Sequence, residues 1–201
     1  NPDEISRKDL RINDYVIVRR AGDVIPEVVT SIPERRSGSE IEWSLDKRCP
    51  CGDFDIVYIK DEKVPRCSGR YDCKISKKEM LIYFASKSGL DIEGLGRETV
   101  ETLIANKLVE NFEDFYSLTY EELISLPQWK EKKTQNLLEA IEKSKNSEQE
   151  KLLPALGIRY VGKQTSKLLV NTFGSIRNIF DASTDEINKI HGISESVSSS
   201  L

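Results

Sequence analysis

Apolar residues along the chain change their period near residue 76. Before it they come in short β-branched runs between turn residues. Tyr15-Val16-Ile17-Val18 follows Asn13-Asp14, and Val24-Ile25-Pro26-Glu27-Val28-Val29 follows Ala21-Gly22-Asp23. Such runs predict strands, the second interrupted at Pro26, where the ladder lacks a donor. Ser37-Gly38-Ser39 marks a loop. Residues 1–46 therefore read as β; two or three strands cannot close a sheet, so they are expected to end a β-domain that begins upstream. Beyond the switch the pattern is helical. Ser76-x-x-Glu79 predicts a capping box opening a helix with Met80, Leu81, Tyr83 and Phe84 as its apolar body. Thr119-x-x-Glu122 and Ser183-x-x-Glu186 carry the same signature, and Gly174 is expected to end a helix through Leu168-Leu169-Val170.

The second half repeats itself. Asp91-Ile92-Glu93-Gly94-Leu95-Gly96, Ser125-Leu126-Pro127-Gln128-Trp129-Lys130, Gly157-Ile158-Arg159-Tyr160-Val161-Gly162 and Lys189-Ile190-His191-Gly192-Ile193-Ser194 align without gaps. Each holds an apolar residue, a tight-turn residue two positions later, then another apolar residue. The final positions are 34, 32 and 32 residues apart, and seven residues beyond each lies a leucine: Leu103, Leu137, Leu169 and Leu201. Positions three and seven after each segment share a helical face, so each unit is predicted to be a short helix, a hairpin and a second helix.

Composition supports small modules over one large core: 32% of residues are charged, against the usual ~25%. The net charge of −4 argues against holding nucleic acid by bulk positive charge. Acidic and basic residues are spread evenly, with no acidic tail or basic arm. No apolar run is long enough for a membrane helix and no leader pattern is present, so a soluble chain is expected. Asn1 in place of an initiator Met, and Leu201 inside a helix-like stretch, suggest an excised fragment.

All four cysteines fall within 25 residues, as Cys49-Pro50-Cys51-Gly52 and Cys67-x5-Cys73. Two close thiol pairs beside turn residues can converge on one tetrahedral Zn²⁺; disulfides are the alternative. Four thiolates leave no open position, so such a zinc would be structural, one per chain.

Gly94-Leu95-Gly96 suggests what a hairpin can do. Glycine permits close approach of a phosphate, and the helix opening at Arg97 turns unpaired N–H groups the same way. Contacts of this kind carry no base information and need little net charge. The alternative is packing hairpins whose glycines serve only the turn. Unit two, with Gln128 and Lys130 in place of glycines, is expected to be the more structural; unit four, with Gly192 but Ser194, is intermediate. Gly94-x-Gly96 lacks the third glycine and the strand–helix–strand frame of a dinucleotide fingerprint. His191 reads as a turn residue, and Trp43 and Trp129 as packing residues.

The order of modules resembles the C-terminal half of bacterial NAD-dependent DNA ligases. The most specific stretches are Arg7-Lys8-Asp9-Leu10-Arg11-Ile12 and Arg19-Arg20-Ala21-Gly22-Asp23-Val24-Ile25-Pro26-Glu27-Val28, which look like the end of that family's OB-fold. Leu90-Asp91-Ile92-Glu93-Gly94-Leu95-Gly96 and Ala155-Leu156-Gly157-Ile158-Arg159-Tyr160-Val161-Gly162 are typical of its hairpins. The resemblance implies a multi-module fold. A partial all-β OB-fold tail occupies 1–46, a small four-cysteine zinc finger 47–75 and a connecting helix 76–90. An all-α helix-hairpin-helix array occupies 91–201, with four units, the last truncated.

The family seals nicks between a 3′-hydroxyl and a 5′-phosphate in duplex DNA, in replication and repair, through a lysyl-AMP. The resemblance therefore implies nicked duplex DNA as a partner without sequence preference, no membrane, a cytoplasmic, nucleoid-associated location, and a monomer. It implies DNA contacts at Arg19, Arg20, Gly94, Gly96, Arg97, Arg159, Gly162, Lys163 and Gly192, and Zn²⁺ on Cys49, Cys51, Cys67 and Cys73. Three departures matter. The family's first cysteine pair is usually Cys-Pro-x-Cys-Gly, and one residue is missing here. Asn13 stands for a turn glycine. No Lys-x-Asp-Gly occurs, so the chain has no catalytic residue; NAD and Mg²⁺ would be used by the full-length enzyme, whose N-terminal adenylation domain is the implied partner. A non-enzymatic hairpin module of a repair factor is the alternative, and a zinc-ribbon scaffold without DNA contact a second.

Overall fold

The computed structural model describes residues 2–22, 25–59 and 64–201. The chain divides into two compact units, Asn1–Ser76 and Lys77–Leu201. In the first, the helix α1 (Pro2–Arg7) precedes strands β1 (Arg11–Ile12), β2 (Val16–Ala21), β3 (Ile25–Ser31), β4 (Ile41–Glu42), β5 (Ile56–Val57) and β6 (Arg66–Cys67). The strands pair antiparallel as β1–β4, β2–β3 and β5–β6. The all-β expectation for residues 1–46 is corrected at its start. Pro2 opens α1, Asp3 and Glu4 occupy its first turn, and Arg7 donates to Glu4 at 2.7 Å one turn on, charges placed to suit the helix dipole. Asp23 and Val24 of the expected turn and strand lie outside the described residues.

The β2–β3 ladder runs from Val16↔Ser31 to Ala21↔Ile25, with Val29 as an extra residue opposite the Ile17–Val18 step. Pro26 sits opposite Arg20 without ending the strand. Few side chains in this unit are buried; Ile17, Val18, Ile25 and Ile41 are all exposed. Charge supports its first turn. Arg36 donates to both oxygens of Asp14 at 2.8 Å and to Asp9 at 2.7 Å. Asp14 also accepts the Arg11 N–H at 2.8 Å. Its carboxylate is only 1% exposed, and Arg36 holds its pKa down at about 2. Asn13 takes the left-handed φ of +74° that this turn requires.

The second unit is helical: α2 (Lys74–Ala85, starting just before its boundary), α3 (Arg97–Ala105), α4 (Tyr120–Ile124), α5 (Glu131–Ser144), α6 (Gln149–Ala155), α7 (Lys163–Phe173), α8 (Ile176–Asp181), α9 (Thr184–Asn188) and α10 (Glu195–Ser198). No helix among the described residues is long and apolar enough to cross a membrane. Thr119–Glu122 and Ser183–Glu186 close the expected capping boxes, and Gly174 ends α7 at φ +81°. Ser76–Glu79 is not a capping box: α2 starts two residues earlier, with Ser76 inside it.

Two separate cores build this unit. Phe84, Leu95, Val100, Leu103, Phe115, Leu123, Trp129, Leu137 and Ile141 belong to the first; Leu153, Val161, Leu169, Ile179, Ile187 and Val197 form the second. The helix α6 serves both, sending Ala155 to the first and Leu153 to the second. The leucine seven residues after each hairpin packs as expected: Leu103, Leu137 and Leu169 are buried and Leu201 lies against the second core. Its partner on the buried face is the fourth position, Val100, Thr134, Ser166 and Ser198. The expected third position is half-buried in Thr99 and Thr165 and exposed in Lys133, and only in the last unit is it buried, as Val197.

Candidate metal centre and nucleic-acid hairpins

The four thiols are free, and their sulfurs lie within 4.8 Å of one another. Cys49 and Cys73 Sγ are 3.9 Å apart, close to the roughly 3.8 Å edge of a tetrahedron with metal–sulfur bonds of about 2.3 Å. The shortened Cys49-Pro50-Cys51 segment still turns both sulfurs inward, because Gly52 N–H donates to Cys49 O at 2.9 Å and Cys49 N–H to Phe54 O at 2.8 Å. Cys67 comes from β6. Gly69, just after it, has no room for a side chain, since a Cβ there would meet the Phe54 ring at 2.3 Å. Cys73 stands just before α2 as its cap. Burial pushes its thiol up, but Ser76 N–H and hydroxyl, with the Cys67 and Cys51 thiols, donate to it and bring it down to about 6. Cys51 N–H favours the Cys49 thiolate, but burial and the three neighbouring thiols outweigh it and push Cys49 up to about 12. The set can hold a metal ion: three of its cysteines are buried, all are soft donors, and a dication would compensate the charge that burial otherwise penalises.

The four hairpins share one backbone. Leu95, Trp129, Val161 and Ile193 each donate their N–H to the apolar residue three before, at 3.1–3.2 Å. The residue just before each of these donors has positive φ: Gly94 +89°, Gln128 +67°, Tyr160 +63° and Gly192 +94°. This is the turn geometry that requires φ > 0 at its third residue. The helix caps follow two residues on, at Gly96, Lys130, Gly162 and Ser194, all extended and none making a side-chain cap hydrogen bond. The leading amides of the following helices have no intrahelical acceptor. A Cβ built on Gly96 or Gly162 would meet nothing within 4 Å, so these glycines leave the approach to the amides open.

The expected cations differ in their surroundings. Arg97 donates to both oxygens of Glu79 at 2.7 Å and lies 3.7 Å from Glu101. Arg19 donates to Glu27 at 2.5 Å. Arg159 lies half-buried with its guanidinium 5.3 Å from the Tyr160 ring centre. Arg20 and Lys163 are exposed. Gly94 supports the turn, with Leu137 Cδ1 3.3 Å from where its Cβ would stand. Gly192 and His191 are exposed in the last turn. Trp129 is buried as expected for packing, with Lys133 Nζ 4.1 Å over its ring. Sequence reasoning missed the partner of Arg97, eighteen residues away, read the exposed Lys130 only as a replaced glycine, and passed over the exposed Lys132 beside it.

Residues 1–40 match the NAD-dependent DNA ligase OB-fold domain. Residues 90–143 match a SAM-like helix-hairpin-helix tandem, and 151–201 a helix-hairpin-helix motif. The chain is 40% identical over 201 residues to the DNA ligase of Anoxybacillus flavithermus, covering 100% of this chain and 30% of that protein. It thus spans about a third of the length of the curated relative it matches. The OB-fold match, the paired hairpin modules and an identity that runs the whole chain place it in the NAD-dependent DNA ligase family, as a C-terminal portion.

Proposed function

We propose that this chain is the DNA-holding portion of an NAD-dependent ligase, binding nicked duplex DNA through its phosphates regardless of sequence. The carrying observation is the fourfold hairpin: one turn geometry, repeated, that sets open helix amides beside an exposed cap. Amides of this kind bind anions without bulk positive charge, which reconciles DNA binding with the net charge of −4. The contact residues in this reading are the open cap glycines Gly96 and Gly162, the turn glycines Gly94 and Gly192, and the cations Arg20, Arg159 and Lys163. Arg19 and Arg97 would reach a phosphate only by leaving Glu27 and Glu79. Zn²⁺ held by Cys49, Cys51, Cys67 and Cys73 would be structural, tying the strands around β5–β6 to the start of α2. Nick sealing belongs to the whole ligase, with NAD and Mg²⁺ used by its adenylation domain. This chain contains no Lys-x-Asp-Gly and so would bind a nick without joining it.

The test is binding of labelled nicked duplexes of unrelated sequence, beside incubation with NAD. Equal affinity across sequences, with no adenylated protein and no joined product, is expected. Strong sequence preference would overturn the phosphate reading, and label on the chain would mean that the adenylated nucleophile lies within these residues.

A further inference from the structure

Resting on that DNA reading, we infer that the chain grips phosphates chiefly through its second and third hairpins, one from each pair, while an internal ion pair withdraws the first. This departs from the expectation that unit two is the more structural.

The hairpins share a backbone but not a charge. Around the first stand Asp91, Glu93 and Glu98, and its cation Arg97 is held by both oxygens of Glu79. To reach a phosphate, Arg97 must first give up two charge-assisted hydrogen bonds of near-ideal length. The second hairpin leads into Lys130, Lys132 and Lys133 with Glu131 alone against them. The third carries Arg159, Lys163 and Lys167, with no carboxylate between residues 157 and 167. Lys130, Lys132, Lys163 and Lys167 are exposed and form no ion pair among the described residues. Such lysines release counterions on meeting a phosphate and surrender no protein contact. The fourth hairpin balances Lys189 with Glu195 and opens α10, only 4 residues long, whereas α5 and α7 run for 14 and 11.

A second observation separates the same two hairpins from the others. At the fourth position after the cap, Thr134 and Ser166 carry buried hydroxyls without a hydrogen-bond partner, and among the described residues only these two side chains do so. The first unit fills that register with Val100, and the fourth with Ser198, whose hydroxyl donates to Asn188 at 2.5 Å. Val100 shows that the register accepts an apolar residue. In the second and third units an unpaired polar group is kept instead, one turn behind the open amides.

The experiment follows anisotropy of a labelled nicked duplex titrated with the 201-residue chain from roughly 0.05 to 0.4 M salt. Variants are the pair Lys130→Ala/Lys132→Ala, the pair Lys163→Ala/Lys167→Ala, and Arg97→Ala, each checked for unchanged helical circular dichroism. Each lysine pair should lower the slope of log K against log salt by about 2, which is roughly a sixtyfold loss at 0.1 M. Arg97→Ala should leave the slope as it is. A loss in Arg97→Ala as large as in either pair, or unaltered slopes in both pairs, overturns the assignment while leaving DNA binding itself standing. If the unmodified chain binds no duplex at low salt, the DNA reading falls and the assignment falls with it.

Discussion

Substituting Gly162 by alanine separates stability from DNA contact. Gly162 caps α7 with φ −84° and ψ 179°, ordinary extended backbone for any residue, and a Cβ there meets nothing within 4 Å. Alanine is a poorer helix cap than glycine, by several tenths to about 1 kcal/mol. Removing glycine's freedom from the unfolded chain returns about 0.4–1 kcal/mol. The two nearly cancel, so urea unfolding should change by less than about 0.5 kcal/mol. Binding should change far more. The new methyl stands where a phosphate would approach the α7 amides, and one hydrogen bond to a charged group is worth about 1.5–3 kcal/mol. That corresponds to a Kd raised about tenfold to a hundredfold. Gly96→Ala is the comparison, since its cap is equally open but the cation beside it, Arg97, is held by Glu79; stability should hold and Kd should rise distinctly less than in Gly162→Ala. Gly94→Ala should cost stability, about 1–2 kcal/mol, because φ is +89°. An unchanged Kd in Gly162→Ala would show that no phosphate comes close to this cap. An equal loss in Gly96→Ala would make the hairpins equivalent and sink the division between them.

Elemental analysis should find one zinc per chain, and chelation or Cys67→Ser should expose residues 47–75 to protease while the helical signal of Lys77–Leu201 persists; a metal-free preparation equally resistant there would contradict a structural metal. Asp14 should make the first unit acid-sensitive. Its folded pKa, about 2, lies below the unfolded value of about 3.9, so the stabilisation is complete above the unfolded value and fades as pH falls through the folded one. Near-ultraviolet circular dichroism should follow that loss, and Asp14→Asn, already lacking the ion pair, should be less stable at neutral pH and show a smaller acid step, leaving the part due to Glu4 and Glu40, whose pKa values are also lowered by their partners. Thr134→Val should raise stability by about 1 kcal/mol, since it replaces an unpaired buried hydroxyl with a methyl of similar shape; a lower melting temperature would indicate that the hydroxyl has a partner after all.

The hairpin repeat was legible because its signal is geometric: an apolar residue, a turn and a second apolar residue recur wherever the same hydrogen bond closes. That Gln128 and Tyr160 share the backbone of Gly94 and Gly192 was hidden, because neither residue type announces positive φ. The cysteine cluster was legible from spacing, since few arrangements of two close thiol pairs keep the sulfurs apart. The role of Cys73 as the cap of α2 was not, because the Ser-x-x-Glu signature three residues later offered a more familiar one. Glu79, read as half of that signature, instead holds Arg97. Pairings between elements depend on how helices pack, which local pattern does not encode. The helix at Pro2–Arg7 escaped for another reason: six residues carry too little periodicity to be heard over a β-like neighbourhood.

The double allegiance of α6 bears on how the helical unit comes apart. Seven residues with Pro154 among them are too few to hold a helix in water. The element persists because one side is clasped by each core, Ala155 by the first and Leu153 by the second. Losing either core releases half of that clasp and lets α6 unwind, which in turn strips cover from the core that remains. Two hairpin pairs that look divisible in space are therefore coupled in energy. Amide hydrogen exchange should find them opening together, with α6 reporting the weaker partner and no long-lived state in which one pair stands folded beside an unravelled neighbour.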